Sequence, residues 1–400
     1  MYPISTDNRM AEDKDIKQLY LDFDEYIRQG EPDQKEKAEA WRVAIGLQAV
    51  DGLKTSEYLQ QTARRNIEGD ITIDEARELV KQYYVKKTAH ANDDSDKEEA
   101  DRVSANIVKV LSSPTFDFTT RGYQSVHRRV FEGVMKHAGE FRTYDITKKE
   151  WVLENDTVRY LNWEDLRRAI DYELEQERAY TYSGKSHDEL ISHLTRFVSN
   201  LWQIHAFGEG NTRTTAVFTI QYLRSLGFDV DNDPFALNSW YFRNALVRAN
   251  YRNVKKGIDY SPVYLERFFR NLLLGEQWDL RNRYLHIHPT AEWSVQPNLA
   301  DPTSDPTSIE KAPDKLPDKF DTNNLYIKRL IQVVGYDDVT IKDALKALEL
   351  KDRESFMNVY LTPAIKERFV CMKYPHSPRH PRQRYLLTLK GQMLYQQLAK

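Results

Sequence analysis

Cysteine is nearly missing from this chain of 400 residues: there is one, Cys371. A single thiol excludes an intramolecular disulfide framework and suits a reducing compartment. It lies in the apolar run FVCMKY and reads as a small buried hydrophobe, not a nucleophile. Long hydrophobic runs are missing too. No window approaches ~18 uninterrupted apolar residues, and the opening MYPISTDNRMAEDKD is polar, so neither a membrane span nor a secretory leader is expected. Net charge is only −3 although 30% of the residues are charged, so any surface for nucleic acid or anionic membrane has to be local. A water-soluble, cytoplasmic protein with no membrane partner is expected.

What is present divides the chain. No internal repeat is visible. The stretch HANDDSDKEEADR, 90–102, is acidic and polar and reads as a solvated connector. From about 287 to 321, repeated Pro, Asp, Ser and Thr cannot bury much apolar area and read as a linker. The expected order is a helical N-terminal segment (1–95), a central domain (105–285), a linker (286–321) and a C-terminal domain (322–400). Within HDELISHLTRFVSNLWQIHAF, Leu190, Leu194, Phe197, Leu201 and Ile204 recur at helical spacing. In TRTTAVFTIQYLRSLGF, Ala216, Val217, Ile220 and Leu223 do the same, and Gly227 supplies a stop. The fold class is therefore mainly α. One segment departs from it: residues 141–163 are rich in Tyr, Trp, Val, Ile and Thr around LENDT, which predicts a β-hairpin. Such a hairpin is either packed on the helices or a docking edge for an extended segment of another protein.

Between the two helices lies IHAFGEGNTR, a poor composition for a core. The first-turn N–H groups of a helix lack intrahelical partners and, with the helix dipole, favour an anion. Gly210 would let a phosphate approach the backbone, Asn211 and Thr212 can cap and donate, and Arg213 carries a charge the dipole disfavours unless a second phosphate uses it. Glu209 beside phosphates implies a hard cation such as Mg²⁺. His205, at the end of the preceding helix, has the pKa range of a general base. Singly each is an ordinary cap or turn residue; together they are parts for moving a phosphoryl-type group.

The run H-A-F-G-E-G-N-T-R resembles the signature loop of Fic-domain proteins, His-x-Phe-x-Asp/Glu-Gly-Asn-Gly-Arg with a second Arg two residues on. The likeness extends over about 160 residues: VHRRVFEGVMKHAGEFR resembles the helix before the family's flap, GEFRTY and the segment after it the flap, and PFALNSWYFRNALVRANY the helix bordering the nucleotide. The resemblance implies a Fic-type helical bundle that transfers AMP from ATP to a Tyr, Thr or Ser hydroxyl of a protein target, with pyrophosphate released. His205 would be the base and Glu209 the Mg²⁺ ligand. Gly210, Asn211, Thr212, Arg213, Tyr241 and Asn244 would face the nucleotide, and Phe207 would anchor the loop. Thr143, Tyr144 and Asp145 would form the target-docking edge. Two positions depart from the pattern: Thr212 replaces the second Gly, and Ala216 the second Arg, which typically meets the γ-phosphate. Such a chain transfers nucleotide, serves as a nucleotide-binding module for a regulator, or runs the site in reverse to remove AMP.

Many Fic proteins are inhibited by a glutamate that pairs with that second Arg. Two acids are candidates here, Glu68 in NIEGD and Asp51 in AVDGL. Local pattern offers a different account of the first: Thr72 as N-cap with Glu75 in the capping-box position makes Glu68 the end of the preceding helix. From 322 onward, three short helices and two strands around the tip PHSPRHPR resemble a winged-helix domain. From Asp321 there are 14 Lys and Arg against 8 Asp and Glu, a local basic surface. It would contact DNA through Arg379, Arg382 and Arg384, or serve protein contacts and a homodimer. His376 and His380 lack the company of a zinc site.

Overall fold

In the computed structural model, residues 23, 25–86, 92–113, 115–182, 185–228, 230, 233–288, 321–374, 377 and 380–399 are described. Most of the expected linker, with His376 and Arg379, lies outside them. The N-terminal segment forms α1 (Pro32–Gly46), α2 (Glu57–Glu68) and α3 (Ile73–Lys86). Each start is fixed by local chemistry. Glu31 and Gln34 close a capping box on α1, the Ser56 hydroxyl accepts the Leu59 N–H of α2, and Thr72 pairs reciprocally with Glu75 at α3.

The connector expected at 90–102 is not one. Residues Asn92–Leu111 form a single helix, α4. Asp101 within it is fully buried, because its carboxylate accepts from the Ser56 N–H at 2.8 Å and the Tyr84 hydroxyl at 2.8 Å. Those partners are distant in sequence, so the acidic run looked solvated when read alone. Its face carrying Val103, Ile107 and Val110 joins the core.

The central part begins with α5 (Thr120–Val130). The β-hairpin predicted over 141–163 does not form, since the described strands all lie in the C-terminal part. Instead, the carbonyls of Tyr144 and Leu161 both accept from the Arg142 guanidinium, at 2.6 and 2.5 Å. The two arms are thus held by one buried side chain. After it come α6 (Leu166–Ala179), α7 (His187–Ile204), α8 (Asn211–Ser225), a short α9 (Asp233–Leu237) and α10 (Ser239–Asn250). Next, α11 (Val263–Phe269) runs into a π turn, Arg270–Leu274. The stripe Leu190, Leu194, Phe197, Leu201 and Ile204 is buried as expected, and α8 is buried along nearly its whole length. Apolar residues from Phe23 to Leu285 share one core.

The C-terminal part has its own core, formed by α12 (Leu325–Val334), α13 (Ile341–Ala347), α14 (Arg353–Phe356), a π turn (Met357–Leu361) and α15 (Thr362–Lys366). Strands β1 (Val370–Met372) and β2 (Tyr385–Leu387) pair antiparallel with Cys371 opposite Leu386, and α16 (Leu389–Leu398) follows. Burial pushes the Cys371 thiol up to about 11, as befits an unreactive residue. Of the basic residues near the strands, Arg384 and Lys373 both pair with Asp338, while Arg382 is exposed. Leu389 and Met393 of α16 enter the first core, and the Leu389 N–H donates to the Leu226 carbonyl at 2.9 Å. Gly227, with φ 91°, ends α8 against Thr388, where a β-carbon would meet the threonine hydroxyl oxygen at 2.4 Å.

Candidate active site

The loop between α7 and α8 is held from four sides. His205 closes α7 in the left-handed region, φ 51°, which a non-glycine residue occupies only when its surroundings impose it. Arg142 imposes it. Its Nε donates to the His205 carbonyl at 2.8 Å, its main-chain N–H donates to the Ala206 carbonyl at 2.9 Å, and its side chain is fully buried. Phe207, wholly buried, stacks on His127 at 3.8 Å. The His127 Nδ1 accepts the Gly139 N–H at 2.8 Å, so its Nε2 carries the proton and donates to the Glu209 carbonyl at 3.1 Å. Burial holds this imidazole down at about 4, neutral throughout the physiological range.

Asn211 turns back on the loop rather than outward. Its Oδ1 accepts the Phe207 N–H at 2.9 Å and its Nδ2 donates to the Phe207 carbonyl at 2.7 Å. Gly210 has φ 71°, and a β-carbon there would lie 2.2 Å from the Phe131 ring. The glycine that composition assigns to phosphate approach is therefore also required by packing. At Gly208 the corresponding neighbour is the Tyr144 hydroxyl, 2.8 Å from a β-carbon position. Thr212, the replacement for glycine, accepts from the Trp202 indole Nε1 at 2.9 Å, which ties the first turn of α8 to the last turn of α7.

Arg213 is buried and surrounded. Asp51 Oδ2 pairs with its Nε at 2.8 Å, off the line of a hydrogen bond, and Glu99 Oε1 accepts from Nη2 at 2.8 Å. Gln48 Oε1 accepts from Nη1 at 3.1 Å, and the guanidinium lies 4.8 Å from the centre of the Phe131 ring. Of the two acids named from sequence, the structure brings Asp51 to the loop. Glu68 ends α2 and accepts a hydrogen bond from the Tyr26 hydroxyl. Ala216 is fully buried in α8 and contributes no charge.

His205 is in the opposite situation. Both ring nitrogens are buried and neither has a hydrogen-bond partner among the described residues. The ring lies 4.1 Å from that of Tyr160, tilted by 32°, and the Trp202 indole stands perpendicular to it at 5.2 Å. Burial, reinforced by the positive charges of Lys148, Arg243 and Arg142, holds its pKa well below the ordinary histidine value. The neutral form has a lone pair free to take a proton. Tyr160 is itself held: its hydroxyl donates to Glu150 Oε1 at 3.1 Å, and Arg243 Nη1 of α10 pairs with Glu150 Oε2 at 2.8 Å. Glu150 is fully buried, and burial raises its pKa against the pull of Arg243.

The remaining sequence candidates divide. Glu209 presents an exposed carboxylate, paired with Lys148 at 2.9 Å. Thr143, Tyr144 and Asp145 are exposed, and no main-chain group from 143 to 149 bonds to the main chain of another described residue. Tyr241 and Asn244 are buried, and their hydrogen bonds lead away from the loop, to the Tyr264 carbonyl at 3.2 Å and to Asn282 at 2.8 Å. On α10 it is Arg243 that reaches the surroundings of His205. Sequence reading missed Arg142, Glu150, Tyr160, Trp202, His127 and Glu99. A charged residue set among aromatics, as in EFRTY and KKEWV, was the available signal for the first two. A cavity of about 360 Å³ lined by Tyr58, Leu79, Gln82, Tyr83 and Lys86 shares no residue with the loop.

Comparison with known proteins gives a consistent result. Residues 117–223 match the Fic/DOC family, and residues 326–388 match the Fic-like C-terminal domain, described as that of the filamentation-induced-by-cAMP protein. The protein adenylyltransferase VbhT of Bartonella schoenbuchensis is 25% identical over 183 residues, covering 42% of this chain and 37% of its own length. The probable protein adenylyltransferase y4lH of Sinorhizobium fredii is 24% identical over 168 residues, 42% of this chain and 83% of that protein. The chain thus spans little more than a third of VbhT and most of y4lH. A crystal structure of a Fic family protein from Desulfovibrio desulfuricans G20 aligns over 97% of both chains at 16% identity, with a TM-score of 0.38. With the His205–Arg213 loop set between two buried helices inside the matched region, the chain carries a Fic/DOC domain and a Fic-like C-terminal domain.

Proposed function

We propose that this protein is a protein adenylyltransferase, moving AMP from ATP to a Tyr, Thr or Ser hydroxyl of a target protein. The observation that carries the reading is the His205 ring, buried beside the N-terminus of α8 with both nitrogens unpartnered and its neutral form favoured. A target hydroxyl gives its proton to this imidazole as its oxygen bonds to the α-phosphorus. The bond from the α-phosphorus to the bridging oxygen breaks, and pyrophosphate leaves with that oxygen and the electron pair. Arg213 and the first-turn N–H groups of α8 supply the positive field for the phosphates. Thr143, Tyr144 and Asp145 offer the target an exposed edge whose main-chain groups have no main-chain partners among the described residues.

Glu209 fits the role of a Mg²⁺ ligand. Its carboxylate is exposed one residue before the glycine that precedes α8, and no group of three His, Cys, Asp or Glu forms a cage among the described residues. A site with one carboxylate suits an ion that takes its other ligands from phosphate oxygens and water, and that neutralises their charge when bound. Lys148 would have to release Glu209 first.

Arg213 supports a restrained enzyme. A guanidinium already paired with Asp51 and Glu99 is a weaker phosphate ligand than a free one, and Ala216 provides no second arginine. The proposed inhibitory acid is therefore Asp51, assisted by Glu99, in preference to Glu68. The test is intact-mass spectrometry after incubation with Mg²⁺ and ATP, GTP, CTP or UTP, with and without cell lysate, beside His205→Ala. An AMP adduct on a protein in the wild-type reaction alone is expected. No adduct with any nucleotide, including in an Asp51→Ala variant, would overturn the assignment in favour of a binding module.

A further inference from the structure

We propose that Tyr160 seats the His205 imidazole and controls access to it, with Glu150 as the latch that keeps Tyr160 in place. The inference rests on the reading of His205 as the base. A base must present a nitrogen to the incoming hydroxyl, yet His205 is only 3% exposed and neither nitrogen reaches a polar partner among the described residues. A neighbour has to leave before the ring can work. Two aromatic rings cover it, and they differ in freedom. Trp202 is part of α7, 1% exposed, and tied to Thr212 across the loop. Tyr160 is partly buried and lies on a stretch, 157–162, where no main-chain N–H donates to the main chain of another described residue. The Tyr160 side chain can therefore turn away without breaking a helix, while Gln203 and Arg142 hold the carbonyls of Arg159 and Leu161 on either side of it.

What holds it is a short chain of polar contacts. The Tyr160 hydroxyl donates to Glu150 Oε1 at 3.1 Å, Arg243 Nη1 pairs with Glu150 Oε2 at 2.8 Å, and Glu150 is anchored by its own N–H to the Asp156 carbonyl at 2.9 Å. A fully buried carboxylate is costly to place without such partners. Here it spans the gap between α10 and the ring over the base, linking the segment that offers the docking edge to the group that would take the proton. Target docking on that edge is the event that displaces Tyr160.

Diethyl pyrocarbonate, which acylates an accessible neutral imidazole nitrogen, tests this without requiring enzymatic activity. Adducts are mapped by peptide mass spectrometry in wild type, Tyr160→Phe and Tyr160→Ala, with the exposed His137 and His288 as internal references. In wild type His205 should be labelled far more slowly than either reference. Tyr160→Phe keeps the ring and loses the latch, and should speed labelling about tenfold, as expected when a local opening becomes easier. Tyr160→Ala should bring His205 close to the reference rate, while buried His127 stays protected and reports an intact fold. Labelling of His205 at the reference rate in wild type, or at the wild-type rate in both variants with His127 protected, overturns the proposal. Transfer assays add a second reading: Tyr160→Phe should alter kcat toward the protein target and leave the KM for nucleotide unchanged. Absence of transfer by both wild type and Asp51→Ala would sink the enzymatic assignment, while the labelling result would still decide the role of Tyr160.

Discussion

The two ends of the α7–α8 loop are opposites. Among the described residues, His205 at one end is a buried imidazole with no polar partner on its ring, and Arg213 at the other is a buried guanidinium with three. The difference follows from what each group needs. A neutral imidazole loses modestly when its nitrogens go unpaired, whereas an arginine stays charged and its burial must be compensated. Arg213 therefore draws Asp51, Glu99 and Gln48 from the N-terminal helices into the loop. His205 keeps its lone pair by being shielded. One end is ready for a proton, and the other is occupied until a stronger anion arrives.

The comparison can be broken most severely through Arg142, which holds the His205 end by the backbone. Arg142→Ala would leave the carbonyls of His205, Tyr144 and Leu161 without that donor. Urea denaturation should show a loss of about 3 kcal/mol or more, and transfer should disappear. A wild-type midpoint would mean that something else fixes the end of α7. At the other end, Asp51→Ala with Glu99→Gln relieves Arg213 of both carboxylates and leaves it Gln48. Calorimetric titration with ATP should then show about tenfold tighter binding, about 1.4 kcal/mol. An unchanged Kd would show that the acids do not compete with phosphate, and Glu68→Gly should have no effect in the same assay.

Acid sharpens the contrast, because both His205 and His127 have folded pKa values below the usual 6.5, the latter about 4. The unfolded chain binds protons that the folded chain refuses. This contribution to stability is complete above the unfolded value and is lost as pH falls toward the folded one. Melting temperature should therefore drop as pH falls from 7 toward about 4, the folded value of His127. The drop should be shallower in His205→Gln; equal slopes would place the acid sensitivity elsewhere. The smallest effect belongs to the joint between the two ends. Thr212→Val removes the acceptor of the Trp202 indole and should cost about 1 kcal/mol in denaturant titration.

Local signals were reliable wherever the deciding partner was near in sequence. The helices on either side of the loop, the Thr72–Glu75 box, the stop at Gly227 and the antiparallel pairing of the two C-terminal strands could all be read. Legibility failed where the partner was remote. The acidic run from 92 onward became a helix whose Asp101 meets Ser56 and Tyr84, and the predicted hairpin gave way to a side chain, Arg142, that no periodicity records. Tyr160 and Glu150 belonged to a stretch whose aromatic content suggested strands, while their contact with His205 and Arg243 depends on how that stretch folds back.

By itself, the sequence determined the chemistry at hand: a base, an acid, glycines and an arginine in nine positions at the junction of two amphipathic helices. Helical periodicity and loop composition are properties of neighbours along the chain, so they survive without a structure. Tertiary structure alone decided the state of that chemistry, because shielding and pairing come from residues up to 165 positions away. Burial under Tyr160 keeps His205 neutral and covered, and the arrival of Asp51 and Glu99 holds Arg213 before any nucleotide does.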